Sequence, residues 1–342
     1  MKIAFDVMGS DNGSKNPILA ALQMIKEFKD LEIILVGDEK EITEHLKQIF
    51  KDEKTPDAIS IHGAKDVVPM TAGPFEAVRM PNSSMSQAVK LVKEEKADGV
   101  LSSGSTAAYL GVCHLILGEI SGIKRPAFMP IMPTLKGGKV LLLDVGANIE
   151  NSVDELISFA LMAHIYSQTI LNIARPSIAL LNIGTEENKG PAVTKETYAK
   201  LKQLTQSNAS LSFLNFHGNI EPRDVLSGDV DIIVCDGYSG NVVLKSLEGM
   251  ATLIFSLIKK GYTKNLWTKF LALLSKPVFK GIKNTFDYKN TGGAQLIGIN
   301  GICFKAHGSS DSRSYYSTLK LLRQAIDQDV TNKIKTQVAE LL

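Results

Sequence analysis

One device recurs along this chain and restricts its fold more than any other feature. A short apolar run stops at a small, polar, glycine-bearing loop, and a helix-patterned segment follows. In residues 231–245 the β-branched run Ile232–Val234 ends at Asp236-Gly237-Tyr238-Ser239-Gly240-Asn241, after which Val243, Leu244 and Leu247 share a helical face. Loops of the same make-up stand at 9–14, 102–106, 146–148, 184–190 and 307–311. Strands alternating with helices in this way predict an α/β fold with a mostly parallel sheet and helices on both faces. In such sheets ligands bind beyond the carboxyl ends of the strands. The loops are therefore expected to meet at one site rich in backbone N–H, hydroxyl and amide donors, which suits a phosphate or an oxyanion. Any one of them alone reads equally as an ordinary βα turn, with Asn241 as a helix cap.

The pattern predicts strands over 2–7, 31–36, 58–61, 99–101, 139–143, 177–181, 211–216 and 232–234. Helices are expected from Pro17, over 39–50, 84–96, 106–117, 194–204 and 266–274, and from Asn241 to about residue 260. Ser152 with Glu155 three residues later forms a capping-box signature for a helix running to about residue 169. The proline-rich stretch 125–136 reads as irregular or extended, and 292–305 as a hairpin turning at Asn300-Gly301. Asp311 is placed to cap the closing helix. All 342 residues are read as one α/β domain, with 247–290 as a protruding basic, amphipathic helical segment.

Composition narrows the function. A net charge of +2 gives no general polyanion-binding character, so no nucleic-acid partner is expected. Cys113, Cys235 and Cys303 are dispersed in apolar surroundings and read as reduced core thiols of a cytoplasmic protein. Asp6 interrupts the first apolar run, which reads as a strand and not a signal peptide; no run of about 18 apolar residues predicts a membrane span. The fingerprints of dinucleotide binding, of P-loop ATPases, of serine hydrolases and of zinc sites are absent. Asp6, Asp144 and Asp236 at strand ends are expected to hydrogen-bond the loops that follow them, with no metal and no cofactor.

Two side chains stand out in the loops. Lys189, flanked by Gly184 and Gly190, is either a solvated lysine or a point charge for a phosphate or oxyanion. His307 is either a structural ring or a phosphate ligand and acid–base group. A third unusual feature is 250–290, with eight lysines (259, 260, 264, 269, 276, 280, 283 and 289) against Asp287 as its single acid. Interleaved Leu257, Trp267 and Phe270 give it the signature of an interfacial amphipathic helix pair. A docking face for an acidic partner and an ordinary surface hairpin are the competing readings.

The ordered motifs MGSDN, SSGSTAA, LLLDVGAN, LLNIGTEENKG, GNIEPRD, CDGYSGNVVLK and KAHGSSD resemble the PlsX family of bacterial phosphate acyltransferases over essentially the whole chain. The resemblance implies a three-layer α/β/α sandwich related to phosphotransacetylases and isocitrate-type dehydrogenases. It implies transfer of a fatty acyl group from acyl carrier protein to inorganic phosphate, giving acyl phosphate for an acyl-phosphate-dependent glycerol-3-phosphate acyltransferase. It further implies a homodimer associated peripherally with an anionic membrane surface. Lys189 and Asn241 match the family's catalytic positions. Asp6, Gly9, Ser103, Gly104, Thr106 and Asn148 are the expected phosphate- or thioester-binding residues of the earlier loops. Gly184, Thr185, Gly237, Gly240, His307, Gly308 and Ser309 are those of the later ones. Leu257, Lys259, Lys260, Lys264, Trp267 and Phe270 are the expected membrane contacts. The chain departs from the family pattern at 9–12, at Ser105 and after Asn148. A CoA-dependent phosphotransacylase is the alternative; an isocitrate-type dehydrogenase and a non-enzymatic membrane scaffold are more distant rivals.

Overall fold

The computed structural model describes residues 1–51, 54–206, 210–279, 281 and 292–341. Its fold is α/β, with twelve strands among the described residues divided between two sheets, where the sequence pattern suggested one. The strands are β1 (Lys2–Asp6), β2 (Glu32–Gly37), β3 (Ile59–Gly63), β4 (Gly99–Ser102), β5 (Ala127–Met129) and β6 (Ile131–Pro133). They continue with β7 (Lys139–Leu143), β8 (Ser177–Leu181), β9 (Asn215–Ile220), β10 (Ile232–Val234), β11 (Ala294–Ile297) and β12 (Ile302–Lys305).

The first sheet runs β3-β2-β1-β4-β12-β11-β5 and the second β6-β7-β10-β8-β9. Strands β1 to β4 and β12 are parallel, as are β7, β8, β9 and β10; β11 is antiparallel to its neighbours and β6 to β7. Strands β4, β8 and β10 are buried along their whole length, as continuous apolar runs covered on both faces require. The stretch expected to be irregular or extended is extended: it forms β5 and β6, which Pro130 separates, since it has no N–H to continue a ladder. The two sheets are joined there: the Phe128 N–H donates to Asp144 Oδ1 (3.0 Å) and the Val145 N–H to the Phe128 carbonyl (3.2 Å).

Two boundaries differ from the sequence pattern in instructive ways. The strand expected over 211–216 instead starts at Asn215 and carries through His217-Gly218-Asn219, which resembles a turn. It can do so because Ile178 faces Phe216 while Ala179 faces Gly218, leaving His217 as a bulge on the edge strand; Gly218 takes the positive φ of 98°. The helix expected from Asn241 instead starts at Gly237 and runs to Tyr262, with Asp236 as its cap accepting from the Ser239 N–H (2.8 Å). Asn241 is thus inside the helix and is not its cap. Its 26 residues make it one helix long and apolar enough, by length and composition, to cross a membrane, which the sequence pattern did not anticipate. A second helix, Leu266–Leu274, follows with no buried residue. Lys280, Lys283, Asp287 and Lys289 of the basic segment lie outside the described residues.

The capping box is formed as expected: Ser152 accepts from the Glu155 N–H and Glu155 Oε2 from the Ser152 N–H (3.0 Å), starting the buried helix Val153–Tyr166. Ser152→Ala should lower unfolding stability by about 1 kcal/mol in urea denaturation. An unchanged midpoint would contradict this role for the cap.

Candidate active site

Parallel register places the carboxyl ends of β7, β8 and β10 at one edge of the second sheet, so their three loops stand side by side. They are organised by Asp144, which is fully buried. Its carboxylate accepts from the backbone N–H groups of Phe128, Gly146, Ala147 and Asn148 and from Asn148 Nδ2. Burial pushes the Asp144 carboxyl up, and these hydrogen bonds oppose the shift. The first turn of helix Gly237–Tyr262 is wedged against this loop. A Cβ at Gly237 would overlap the Asn148 carbonyl oxygen, and one at Gly240 the Asp144 carbonyl oxygen. The next residue, Asn241, emerges exposed beside Gly146, whose φ of 119° favours glycine.

The loop after β8 is closed by Asn182. Its Oδ1 accepts from the Ile183 N–H (2.8 Å) and its Nδ2 donates to the Lys189 carbonyl (3.0 Å). The Lys189 stem lies across Gly184, and the exposed ammonium forms no ion pair with a described residue. Lys189, in the loop after β8, and Asn241, in the second turn of the helix after β10, thus follow two hydrogen-bonded strands.

The first sheet repeats the arrangement. Asp6, buried at the end of β1, accepts from the Met8 N–H (3.2 Å) and from Ser102 Oγ (2.6 Å), which ties the β1 and β4 loops together. Burial raises its carboxyl. Gly9 packs against the Gly104 backbone so closely that a Cβ would overlap it. Buried Ser103 accepts from the Tyr315 hydroxyl (2.8 Å). After β12, Gly308 accepts from the Asp11 N–H (2.9 Å), and the His307 Nδ1 lies 2.8 Å from Ser309 Oγ while accepting from the Ser309 N–H (3.3 Å). A ring nitrogen that accepts from an N–H carries no proton, so neutral His307 keeps its proton on Nε2. Burial, then the neighbouring Lys245 and Lys305, hold His307 below the ordinary imidazole range, against Glu248 and Asp11.

Helix Gly237–Tyr262 connects the two halves. Lys245, one turn after Asn241 on the same face, lies near enough to act electrostatically on Lys305 and His307 of the first sheet. The candidate site is therefore assembled from loops of both sheets, which the Phe128–Asp144 bond and this helix bring near one another. Asp6, Gly9, Ser103, Gly104, Asn148, Gly237 and Gly240 shape its loops from beneath. Thr106, Thr185, Lys189, Asn241, His307 and Ser309 present exposed side chains, and Gly184 lies under Lys189.

Lys245 and Lys305 were missed as site residues from sequence. Their signals were present: Lys305 ends the otherwise buried run Ile302-Cys303-Phe304, and Lys245 follows Asn241 at i+4. Asp311 caps helix Ser312–Asp327 by accepting from the Ser314 N–H (3.0 Å), as its position predicted; a further helix, Val330–Leu341, closes the described chain. No group of His, Cys, Asp and Glu among the described residues is arranged to hold a metal ion. A cavity of about 490 Å³ lined by His164, Arg175 and Phe213 lies away from these loops, at the C-terminal end of helix Val153–Tyr166.

A family model described as fatty acid synthesis protein matches residues 1–333. The phosphate acyltransferase of Mesoplasma florum is 45% identical over 338 residues, covering 98% of this chain and 99% of the relative. That of Mycoplasma capricolum subsp. capricolum is 46% identical over 334 residues, covering 98% and 97%. A phosphotransacetylase from Streptococcus pyogenes superposes with a TM-score of 0.66 at 19% identity, covering 96% of this chain and 94% of that one. A branched-chain phosphotransacylase from Enterococcus faecalis V583 gives 0.59 at 17% identity, covering 95% and 99%. The fold is thus of the phosphotransacetylase type. Within that class the chain belongs to the fatty acid synthesis protein family, the PlsX family whose motifs it carries.

Two glycines of one helix test the geometry. Gly240→Ala should destabilise the protein and suppress activity by displacing Asn241, because its Cβ would meet the Asp144 carbonyl and Cys235 Sγ. Gly249→Ala meets nothing within 4 Å and should gain about 0.5–1 kcal/mol in thermal unfolding. Equal effects of the two substitutions would contradict the wedge.

Proposed function

We propose that the protein reversibly transfers a fatty acyl group from acyl-(acyl carrier protein) to inorganic phosphate, giving acyl phosphate for phospholipid synthesis. The observation that carries this reading is that exposed Lys189, with no ion pair among the described residues, and exposed Asn241 both follow the carboxyl ends of adjacent strands, in a chain 45% identical to a phosphate acyltransferase. Phosphate is already a competent nucleophile for a thioester, so the protein's task is alignment and charge stabilisation. A phosphate oxygen adds to the thioester carbonyl carbon, forming a C–O bond and an oxyanion. The oxyanion collapses, the C–S bond breaks, and the proton of hydrogen phosphate ends on the departing thiol. Lys189 and the Asn241 amide stabilise the charge on the tetrahedral species, while His307 and Ser309 shape the phosphate side of the site.

Removing one such donor should cost about 10²–10³ in turnover. Lys189→Ala and Asn241→Ala are therefore expected to form acyl phosphate that much more slowly from saturating thioester and phosphate. Near-normal rates would contradict the assignment. Replacing acyl carrier protein with CoA as the thioester carrier separates this reading from a CoA-dependent phosphotransacylase, which would favour CoA.

The outer part of helix Gly237–Tyr262 and helix Leu266–Leu274 support a second element of the proposal. Their Leu257, Leu266, Trp267 and Phe270 are each more than half exposed, and Lys259, Lys260, Lys264 and Lys269 accompany them. The helix is tied to the globular body by its first three turns, where Gly237 and Gly240 are buried and Val243, Leu244 and Leu247 pack on the core, so the apolar stretch beyond them suits contact with a membrane surface. With the family resemblance, this supports a protein that works in the cytoplasm, as a homodimer, peripherally on the inner face of the cell membrane. There it delivers acyl phosphate to the glycerol-3-phosphate acyltransferase that consumes it. Each lysine near an anionic leaflet contributes about 1 kcal/mol. Reversal of Lys259, Lys260 and Lys264 to Glu should therefore release the protein from anionic vesicles in co-sedimentation; unchanged sedimentation would contradict membrane contact.

A further inference from the structure

The geometry points to Lys305, assisted by Lys245, as the seat of the phosphate dianion, on the first-sheet side of the site, with Lys189 on the second. This assignment rests on the acyl-transfer reading and deepens it. Lys305 ends β12, a strand flanked on both sides within the first sheet, and its three preceding residues are buried. An apolar residue would cost the fold least at that place. The ammonium instead donates to the carbonyl oxygens of Ser103 (3.3 Å) and Ala306, which leaves one of its three protons free. It forms no ion pair with a described carboxylate. Asp6 is committed to the Met8 N–H and to Ser102, and Asp11 attracts it only from a distance.

A second cation lies near it. Lys245, on helix Gly237–Tyr262, is close enough to repel Lys305 and His307, and is itself paired with Glu248 at 2.7 Å. Burial, with Lys245 adding to it, brings Lys305 down to about 8, against the pull of Asp11 and Asp6. A partly buried ammonium without a carboxylate partner among the described residues, near another ammonium, costs stability unless an anion joins them. The neighbouring imidazole adds a neutral N–H donor through Nε2. Two cations and a neutral donor near one another suit a doubly charged phosphate. The two pairs then divide the reaction, with phosphate held by Lys305 and Lys245 and the thioester oxyanion by Lys189 and Asn241. Asn241 and Lys245, one helical turn apart, keep the two halves in register.

The test varies both substrates in steady state with the purified full chain. Lys305→Met is expected to raise the KM for inorganic phosphate roughly 10- to 100-fold, the loss of a charged hydrogen bond, with the thioester KM within about twofold of wild type. Lys245→Met should shift the phosphate KM in the same direction and less, because Lys245 is exposed and already paired. In the wild type, kcat/KM for phosphate should fall as pH rises through about 8, and Lys305→Arg, which stays charged, should remove that fall. Stability gives an independent readout. Without phosphate, Lys305→Met should unfold at or above the wild-type Tm. Added phosphate should raise the Tm of the wild type and not of the variant. A variant with wild-type phosphate KM and an intact phosphate-dependent Tm rise would overturn the assignment, as would one that only loses stability. If the wild type forms no acyl phosphate yet phosphate raises its Tm through Lys305, the reaction fails and the seat stands.

Discussion

The structure depends on a buried carboxylate at the end of a strand. Asp144 has no exposed surface, and its two oxygens collect N–H groups from β5, from its own loop and from the Asn148 side chain. Stripped of these donors, a buried carboxylate would cost several kcal/mol. The donors are therefore held in place as firmly as the charge is. The glycines of helix Gly237–Tyr262 have a clear purpose in this setting: only residues without Cβ can close on the Asp144 loop, and that closure is what delivers Asn241 to the surface. Asp6 does the same on a smaller scale for the first sheet, where it clasps Ser102 under the Gly9–Gly104 contact.

These two clasps produce a site that no single sheet could supply. Each sheet presents the carboxyl ends of its parallel strands, and the hydrogen bonds of β5 to the Asp144 loop join the sheets near those ends. One helix then runs from the second sheet toward the first, with Asn241 and Lys245 on one face and an uncovered apolar surface beyond. The proposed chemistry and the proposed membrane contact are accordingly two ends of the same helix. This economy explains why a long apolar helix is left uncovered in the chain, with only Gly237 and Gly240 buried along its length.

Much of this was legible in sequence because it depends on local rules. The bounds of helix Glu39–Phe50, strand Ser177–Leu181 and helix Leu266–Leu274 follow from apolar periodicity, and the Ser152 and Asp311 caps from side-chain type and spacing. What was not legible depends on contacts distant in sequence. The division into two sheets turns on Pro130 and on the Phe128–Asp144 pairing, neither of which has a periodic signature. Asn241 resembled a cap because Asn favours caps, but Gly237 and Gly240 fit beneath Asp144 and start the helix a turn earlier. Several residues expected to bind ligand make internal hydrogen bonds that hold the loops, among them Asp6, Ser103 and Asn148. The motif marks the loop, and only its hydrogen bonds distinguish the residues that build it from those that face the site.

The most direct test of the account is a crystal structure of the full chain grown with inorganic phosphate. The central claim is that loops from both sheets converge on one anion. It predicts density for a tetrahedral ion between the His307 loop and helix Gly237–Tyr262, within hydrogen-bond distance of the Lys305 ammonium and facing Asn241 and Lys189. Phosphate bound elsewhere, with that place filled by water alone at saturating phosphate, would contradict it.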